Sequence, residues 1–411
     1  MILIEFLPAL LIALVVVLLA VPPLASLGER LGWVYENKKA IRHVVMPPVP
    51  YMGGTAVLLG LVAAGTIANW PSEAWGLIVG ILVVFGLGVV EDRMPVRRRF
   101  WIAGMAAGAA AAVIGGQHFI TSTGQLFGPF AIPLSILAIP FSVAVVGVIA
   151  MGFRTIDRAD GLCDGQALIS TVALLIVALI LSAGGAQGWP MPAFAVVAMS
   201  MLGALLGVSF YTLRRPGRRL AMVYLGSAGA MMLGLVVGWL WLQVHAGFGS
   251  DGIGIGGLMW IVAIPLTDLC FYAIRRVMTG RGWSASDKFR IYHWLKEQQF
   301  SVGQAVGITH AAACVTAVIG IAGWAIGLPD FFLFWGFWAA FAVYAIVALA
   351  FWTDNANTKV RMSDWRTTAN AGATSEAIDV EAHTVLGAFD DTDVMHNPYR
   401  NGPIQKPQSD K

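Results

Sequence analysis

Hydrophobic positions in this chain fall in long blocks, not in the short alternation of a half-buried strand. Eleven stretches stay apolar for about the ~20 residues that a helix needs to cross a bilayer core. They lie near 3–27, 51–69, 74–90, 100–116, 132–151, 167–186, 193–212, 222–246, 257–275, 303–326 and 330–352. The polar segments between them are of two kinds. Loops 117–131, 187–192, 247–256 and 327–329 are rich in Gly, Pro and aromatic residues and contain no Lys or Arg, and neither does 70–73. All 26 basic residues fall on the other side, in loops 28–50, 91–99, 152–166, 213–221 and 275–302 and in the tail after Trp352. The positive-inside bias predicts that these loops and the C-terminus face the cytoplasm and the N-terminus lies outside.

Composition agrees with that pattern. Of the 411 residues 58% are hydrophobic and only 12% charged, about half the share usual in soluble domains. Soluble globular, disordered and nucleic-acid-binding classes are excluded. The expected fold is an all-α polytopic integral membrane protein with about eleven transmembrane helices. Met1 to Ala25 lacks a basic leader and a small-residue cleavage site, so it reads as the first helix and not as a removed signal. Residues 1–352 form the membrane domain, and 353–411 read as a polar, mobile cytoplasmic tail. No internal repeat is visible, which argues against transporters built from duplicated halves. Cys163, Cys270 and Cys314 are far apart and form neither a disulfide framework nor a zinc pattern.

Charge near a membrane is costly, so its placement is informative. Acids outside the tail gather in the basic loops: Glu91-Asp92 after the third span, Asp157, Asp160 and Asp164 in RTIDRADGLCDG, and Asp287 in GRGWSASD. Asp268 lies inside the ninth span, three residues after Pro265. Carboxylates interleaved with arginines suit a divalent cation held between acids and a substrate's phosphates, with the cationic side chains clamping the remaining charge. The same residues also read as solvated loop charges in weak ion pairs. GIGIGG at 252–257 has no preceding strand and is a plain loop, and His310 reads as a satisfied buried histidine.

Five segments together resemble the polyprenyl-phosphate N-acetylhexosamine-1-phosphate transferases, the family that initiates peptidoglycan, O-antigen and teichoic-acid synthesis. They are PPVPYMGG (47–54), GLGVVED (86–92), DGLCDG (160–165), YLGSAGAMMLG (224–234) and IPLTD followed by RR and GRGWSASD (264–287). Each is weak alone, but they occur in the family's order and at the loops the topology requires. The resemblance implies transfer of a sugar 1-phosphate from a UDP-N-acetylhexosamine to a polyprenyl phosphate in the inner (cytoplasmic) membrane, with Mg²⁺ bridging the pyrophosphate. It implies a catalytic group of Glu91, Asp92 and Asp160, with Asp92 as base or orienter for the lipid phosphate. Arg154, Arg275, Arg276, Arg290 and His293 would bind phosphate, and Asp157, Asp160 and Asp164 would hold the metal. A homodimer is compatible with the family, and no nucleic acid is implied.

The chain also departs from the family pattern. The double aspartate becomes Glu91-Asp92, and Arg154 and Asp157 stand where the family has two asparagines. Cys163 is inserted before Asp164, and the family's metal-ligand aspartate is replaced by Ser227, a neutral and poor Mg²⁺ ligand. The histidine cluster reads Arg290-Ile291-Tyr292-His293. Two functions are therefore carried forward: a transferase with a rearranged site, and a catalytically silent relative acting as a membrane binding or assembly partner.

The orientation is open to direct measurement. In a background without the native cysteines, a cysteine at Ser122 is expected to react with an impermeant maleimide on intact cells, and one at Arg215 only after permeabilisation. The reverse order would invert the topology.

Overall fold

The computed structural model describes residues 5–35, 48–68, 70–94, 96–128, 130–157, 161–184, 192–213, 221–247, 252–279, 295 and 298–350. Its helices are α1 (Leu7–Arg30), α2 (Gly53–Ile67), α3 (Trp75–Arg93), α4 (Arg98–Gly116), α5 (Ala138–Ile156), α6 (Leu162–Ala183), α7 (Pro192–Thr212) and α8 (Gly226–Gly247). They continue with α9 (Ile255–Ile261), α10 (Ala263–Thr279), α11 (Val302–Ala325) and α12 (Asp330–Ala350). A two-residue antiparallel pair, β1 (Val34–Tyr35) and β2 (Val49–Pro50), is the one ladder among the described residues. The fold is all-α and the protein is a multi-pass membrane protein. The chain divides into two units, 1–343 and 344–411, and of the second only 344–350 is described.

Each of the eleven apolar stretches contains helix, but two differ from the expected uninterrupted span. Nine helices among the described residues are long and apolar enough to cross a membrane. α2 has 15 residues, about 22 Å at 1.5 Å per residue, against a hydrocarbon core of about 30 Å. The ninth stretch is broken into α9 and α10, which meet at 90°. Pro265 explains the break. It has no N–H to give the Ile261 carbonyl, and its ring crowds that carbonyl. The freed oxygen accepts instead from Ser170 Oγ of α6 at 3.1 Å, so the break leaves no carbonyl stranded in an apolar region.

Helix α8 is the axis of the bundle. Of its most apolar window 94% is buried, against 22% for α1 and α12. Its sides pack on α5, α3, α6 and α2, with smaller contacts to α4, α7 and α9. Trp239 and Trp241 are almost wholly enclosed. A helix apolar on every side is stable only when neighbours surround it or lipid does, and here it is neighbours.

Glycines set how closely those neighbours approach. A Cβ at Gly88 of α3 would collide with the backbone of Ala228, and one at Gly54 of α2 with that of Gly229. Gly226, at φ 72°, turns the chain into α8 and brings its first turn under the end of α3. The extended segments lock on by backbone bonds: Tyr224 N–H donates to Pro50 O at 2.9 Å and Gly53 N–H to Tyr224 O at 2.9 Å.

At the opposite end of the bundle, GIGIGG is not a plain loop throughout: Gly252 to Gly254 lead in, and Ile255 to Gly257 form the first turn of α9. The amides of Gly256 and Gly257 donate to the Asp330 carboxylate at 3.1 Å each, and a Cβ at Gly254 or Gly256 would overlap it. The glycines thus receive a structural carboxylate at the start of α9.

Gly88→Leu is expected to force α3 from α8 and lower stability in detergent by about 1–3 kcal/mol, read as thermal midpoint. Gly86→Leu, whose Cβ would meet nothing within 4 Å, is the control and should leave the midpoint near wild type.

Candidate functional site

Four segments far apart in sequence meet where α3 and α5 end and α8 begins. α3 continues to Arg93, so Glu91 and Asp92 belong to its last turn instead of following it. Asp92 lies against the first turn of α8: its Oδ1 accepts the Ser227 amide at 3.0 Å and its Oδ2 the Ala228 amide at 3.4 Å. The Ser227 hydroxyl also bonds to this carboxylate. These are orphan amides of a helix N-terminus, which no residue inside α8 can satisfy, and an anion there also opposes the helix dipole. Tyr51, before α2, has its ring 6.4 Å from that of Tyr224, so the 47–54 and 224–234 segments border the same spot.

Glu91 points elsewhere. Arg154, in the last turn of α5, grips it with two nitrogens: Nε donates to Oε2 at 2.9 Å and a terminal nitrogen bonds Oε1. Trp101, in the first turn of α4, donates its indole N–H to the same Oε2 at 3.1 Å. The Arg154 guanidinium lies over the Trp101 ring, 4.9 Å from its centroid. The pair is not sealed off, since the side chains retain 29% exposure for Arg154 and 18% for Glu91. Nearby, Arg93 sits over the Trp33 ring at 4.8 Å and Arg99 over Phe100 at 4.9 Å, lining the same end of the bundle with arginine and aromatic surface.

Asp164 was expected in one loop with Asp157 and Asp160, but it lies in the first turn of α6. Gly161 takes φ 76° and allows the helix to start at Leu162. Asp164 is 1% exposed, and its Oδ2 accepts from Ser209 Oγ at 2.8 Å and Thr212 Oγ1 at 2.6 Å, both on α7. It ties α6 to α7. Asp157 follows α5 directly, half-buried. Arg275 and Arg276 end α10 and are buried at 4% exposure each, with Arg276 over the Tyr272 ring at 4.8 Å. His310 Nε2 donates to Leu162 O, 3.3 Å away, and the ring packs on Gly165, as a structural histidine would. Asp160, Arg290 and His293 lie outside the described residues.

A divalent cation needs several anionic or carbonyl oxygens converging on one point. Among the described residues no three His, Cys, Asp or Glu side chains converge in that way. Glu91 is held by Arg154, Asp92 by α8, Asp164 by α7, and position 227 is a serine. Of the three acids that the resemblance implied for Mg²⁺, Asp160 lies outside the described residues, and Asp157 and Asp164 alone make no three-ligand group.

Sequence reasoning missed Trp101, Ser209, Thr212 and Asp330. Trp101 carried a faint signal, an aromatic pair with Phe100 after the basic run Arg97-Arg98-Arg99. The hydroxyls of α7 and the acid of α12 carried none, because their partners are distant in sequence.

Residues 74–245 match the family described as glycosyl transferase family 4. The chain is 28% identical over 298 residues to the undecaprenyl-phosphate alpha-N-acetylglucosaminyl 1-phosphate transferase of Yersinia pestis, an alignment covering 72% of this chain and 78% of that one. The enzyme of the same name from Escherichia coli K12 is 26% identical over the same shares. The decaprenyl-phosphate N-acetylglucosaminephosphotransferase of Mycobacterium tuberculosis is 27% identical over 69% of this chain and 74% of its own.

Asp92→Ala removes the acceptor of two α8 amides and is expected to lower the thermal midpoint by the equivalent of about 1–2 kcal/mol. Asp92→Asn, which keeps one acceptor oxygen, should lose less. Midpoints equal to wild type for both variants would show that these bonds carry no stability.

Proposed function

Because the chain belongs to the polyprenyl-phosphate N-acetylhexosamine-1-phosphate transferase family, we propose that it transfers N-acetylglucosamine 1-phosphate from its UDP-sugar to a polyprenyl phosphate. The reaction would take place at the cytoplasmic face of the inner membrane and begin a cell-envelope polysaccharide. The observation that carries this reading is the convergence of the 47–54, 86–92 and 224–234 segments and of Arg154 on one spot at the basic end of the bundle. Nothing in helix packing alone requires the charged members of those segments to be neighbours.

In this reading an oxygen of the lipid phosphate attacks the β-phosphorus of the UDP-sugar, the bond to the bridging oxygen breaks, and UMP leaves. The lipid anchors one reactant at the membrane surface and the nucleotide arrives from water, so the reacting atoms must meet at the ends of the helices. Asp92, fixed by two amides, orients the lipid phosphate or takes its remaining proton. Arg154 opposes the negative charge that the diphosphate carries from binding through to transfer. Its planar fork suits phosphate oxygens better than a lysine would.

A second reading, a silent relative that binds without turnover, is favoured by one observation. The ion pair of Glu91 with Arg154 occupies one of the two adjacent acids, and Ser227 supplies no charge.

Purified protein in vesicles with polyprenyl phosphate and radiolabelled UDP-N-acetylglucosamine separates the two. Transfer of label to lipid is expected, falling at least about 100-fold in Asp92→Asn while the fold is retained. Titrating Mg²⁺ in the same assay measures whether a cation is needed. Saturable nucleotide binding with no lipid product would favour the silent relative.

A further inference from the structure

Three helices meet at Glu91, Arg154 and Trp101, and the indole touches both members of the ion pair in different ways. Its edge donates to Glu91 Oε2 at 3.1 Å, the oxygen that also receives Arg154 Nε at 2.9 Å. Its face lies 4.9 Å beneath the Arg154 guanidinium. The ion pair alone fixes the guanidinium only relative to Glu91, and both could swing together on long side chains. A third contact from a separate helix removes that freedom. The ring face adds a contact to the guanidinium that the ion pair does not supply. Arg154 keeps 29% side-chain exposure.

We propose that Trp101 is a positioning residue that sets the orientation of Arg154 toward the diphosphate of the sugar nucleotide. This rests on the proposed function, in which Arg154 meets that diphosphate. Trp101 itself touches no phosphate. It acts in ground-state binding and transition state alike, because the diphosphate is charged in both, so its loss appears mainly in KM.

The experiment compares wild type with Trp101→Phe, which keeps a ring but loses the N–H, and Trp101→Leu, which loses both. The expected result is a KM for UDP-N-acetylglucosamine raised by about 3–10-fold in Trp101→Phe and further in Trp101→Leu, with kcat within about twofold. The thermal midpoint of Trp101→Phe should stay at the wild-type value, which separates positioning from a general structural role. Wild-type KM in both variants, or a fall in kcat at unchanged KM, overturns the proposal. If wild type transfers no label, the functional reading fails, and the same variants are compared by equilibrium binding of UDP-N-acetylglucosamine. A parallel weakening of binding sustains the positioning role. Equal affinities, or no binding by wild type, overturn it.

Discussion

The first amides of α8 must find acceptors outside the helix, because no residue within it can supply them. An N–H left unmet in a part-buried place costs about 1–2 kcal/mol. Asp92 answers that need from α3, and the answer organises much around it. For the carboxylate to reach, α3 must run close beside α8, which Gly88 permits. For α8 to begin there, the chain must turn at Gly226. For Tyr224 and Leu225 to lead into the turn, their carbonyls are taken by the amides that open α2. Asp92, a member of the candidate site, is thus also a structural cap.

That double duty changes how the neighbouring acid is understood. Two adjacent carboxylates repel each other, and a protein that keeps both ionised needs a counter-charge close by. Asp92 has backbone amides and Glu91 has Arg154. The two acids on successive residues of α3 therefore face different helices, one toward α8 and one toward α5. Glu91 and Arg154, far apart in sequence, are bonded to each other, so the two positions act as one structural unit. Position 227 is a serine, and it reaches the other acid, Asp92, through its amide.

Much of the fold was legible in the sequence because transmembrane helices announce themselves by length and apolarity. The eleven stretches and the segregation of basic residues required no tertiary information. What periodicity could not reveal was how helices end. The break at Val262 depends on a proline acting four residues back, and on a serine in α6 that accepts the consequence. The start of α6 at Leu162 depends on Gly161 taking a left-handed turn, which moved Asp164 from loop to helix and beside Ser209 and Thr212. At the site, motif resemblance identified Glu91, Asp92, Arg154 and Ser227 as neighbours of interest, and the geometry joined them in two pairs. Composition could suggest that acids and arginines share a membrane face, but only side-chain direction distinguishes a metal cage from an ion pair.

The central placement of α8 also has a consequence for the order in which the chain is made. Synthesis proceeds from the N-terminus, so α1 to α7 enter the bilayer before α8 has left the ribosome. During that interval the glycine-faced sides of α2 and α3 have no partner, and Asp92 has no amides to meet. The contact between Asp92 and Ser227 spans 135 residues, and contacts so distant along the chain are slow to form. The early helices must therefore wait in lipid around a gap, which the eighth closes from within as the last wedge of an arch. Packing of α2 and α3 on α8 and formation of the Asp92–Ser227 contact then become the same event, and a nascent chain halted before Gly226 has neither.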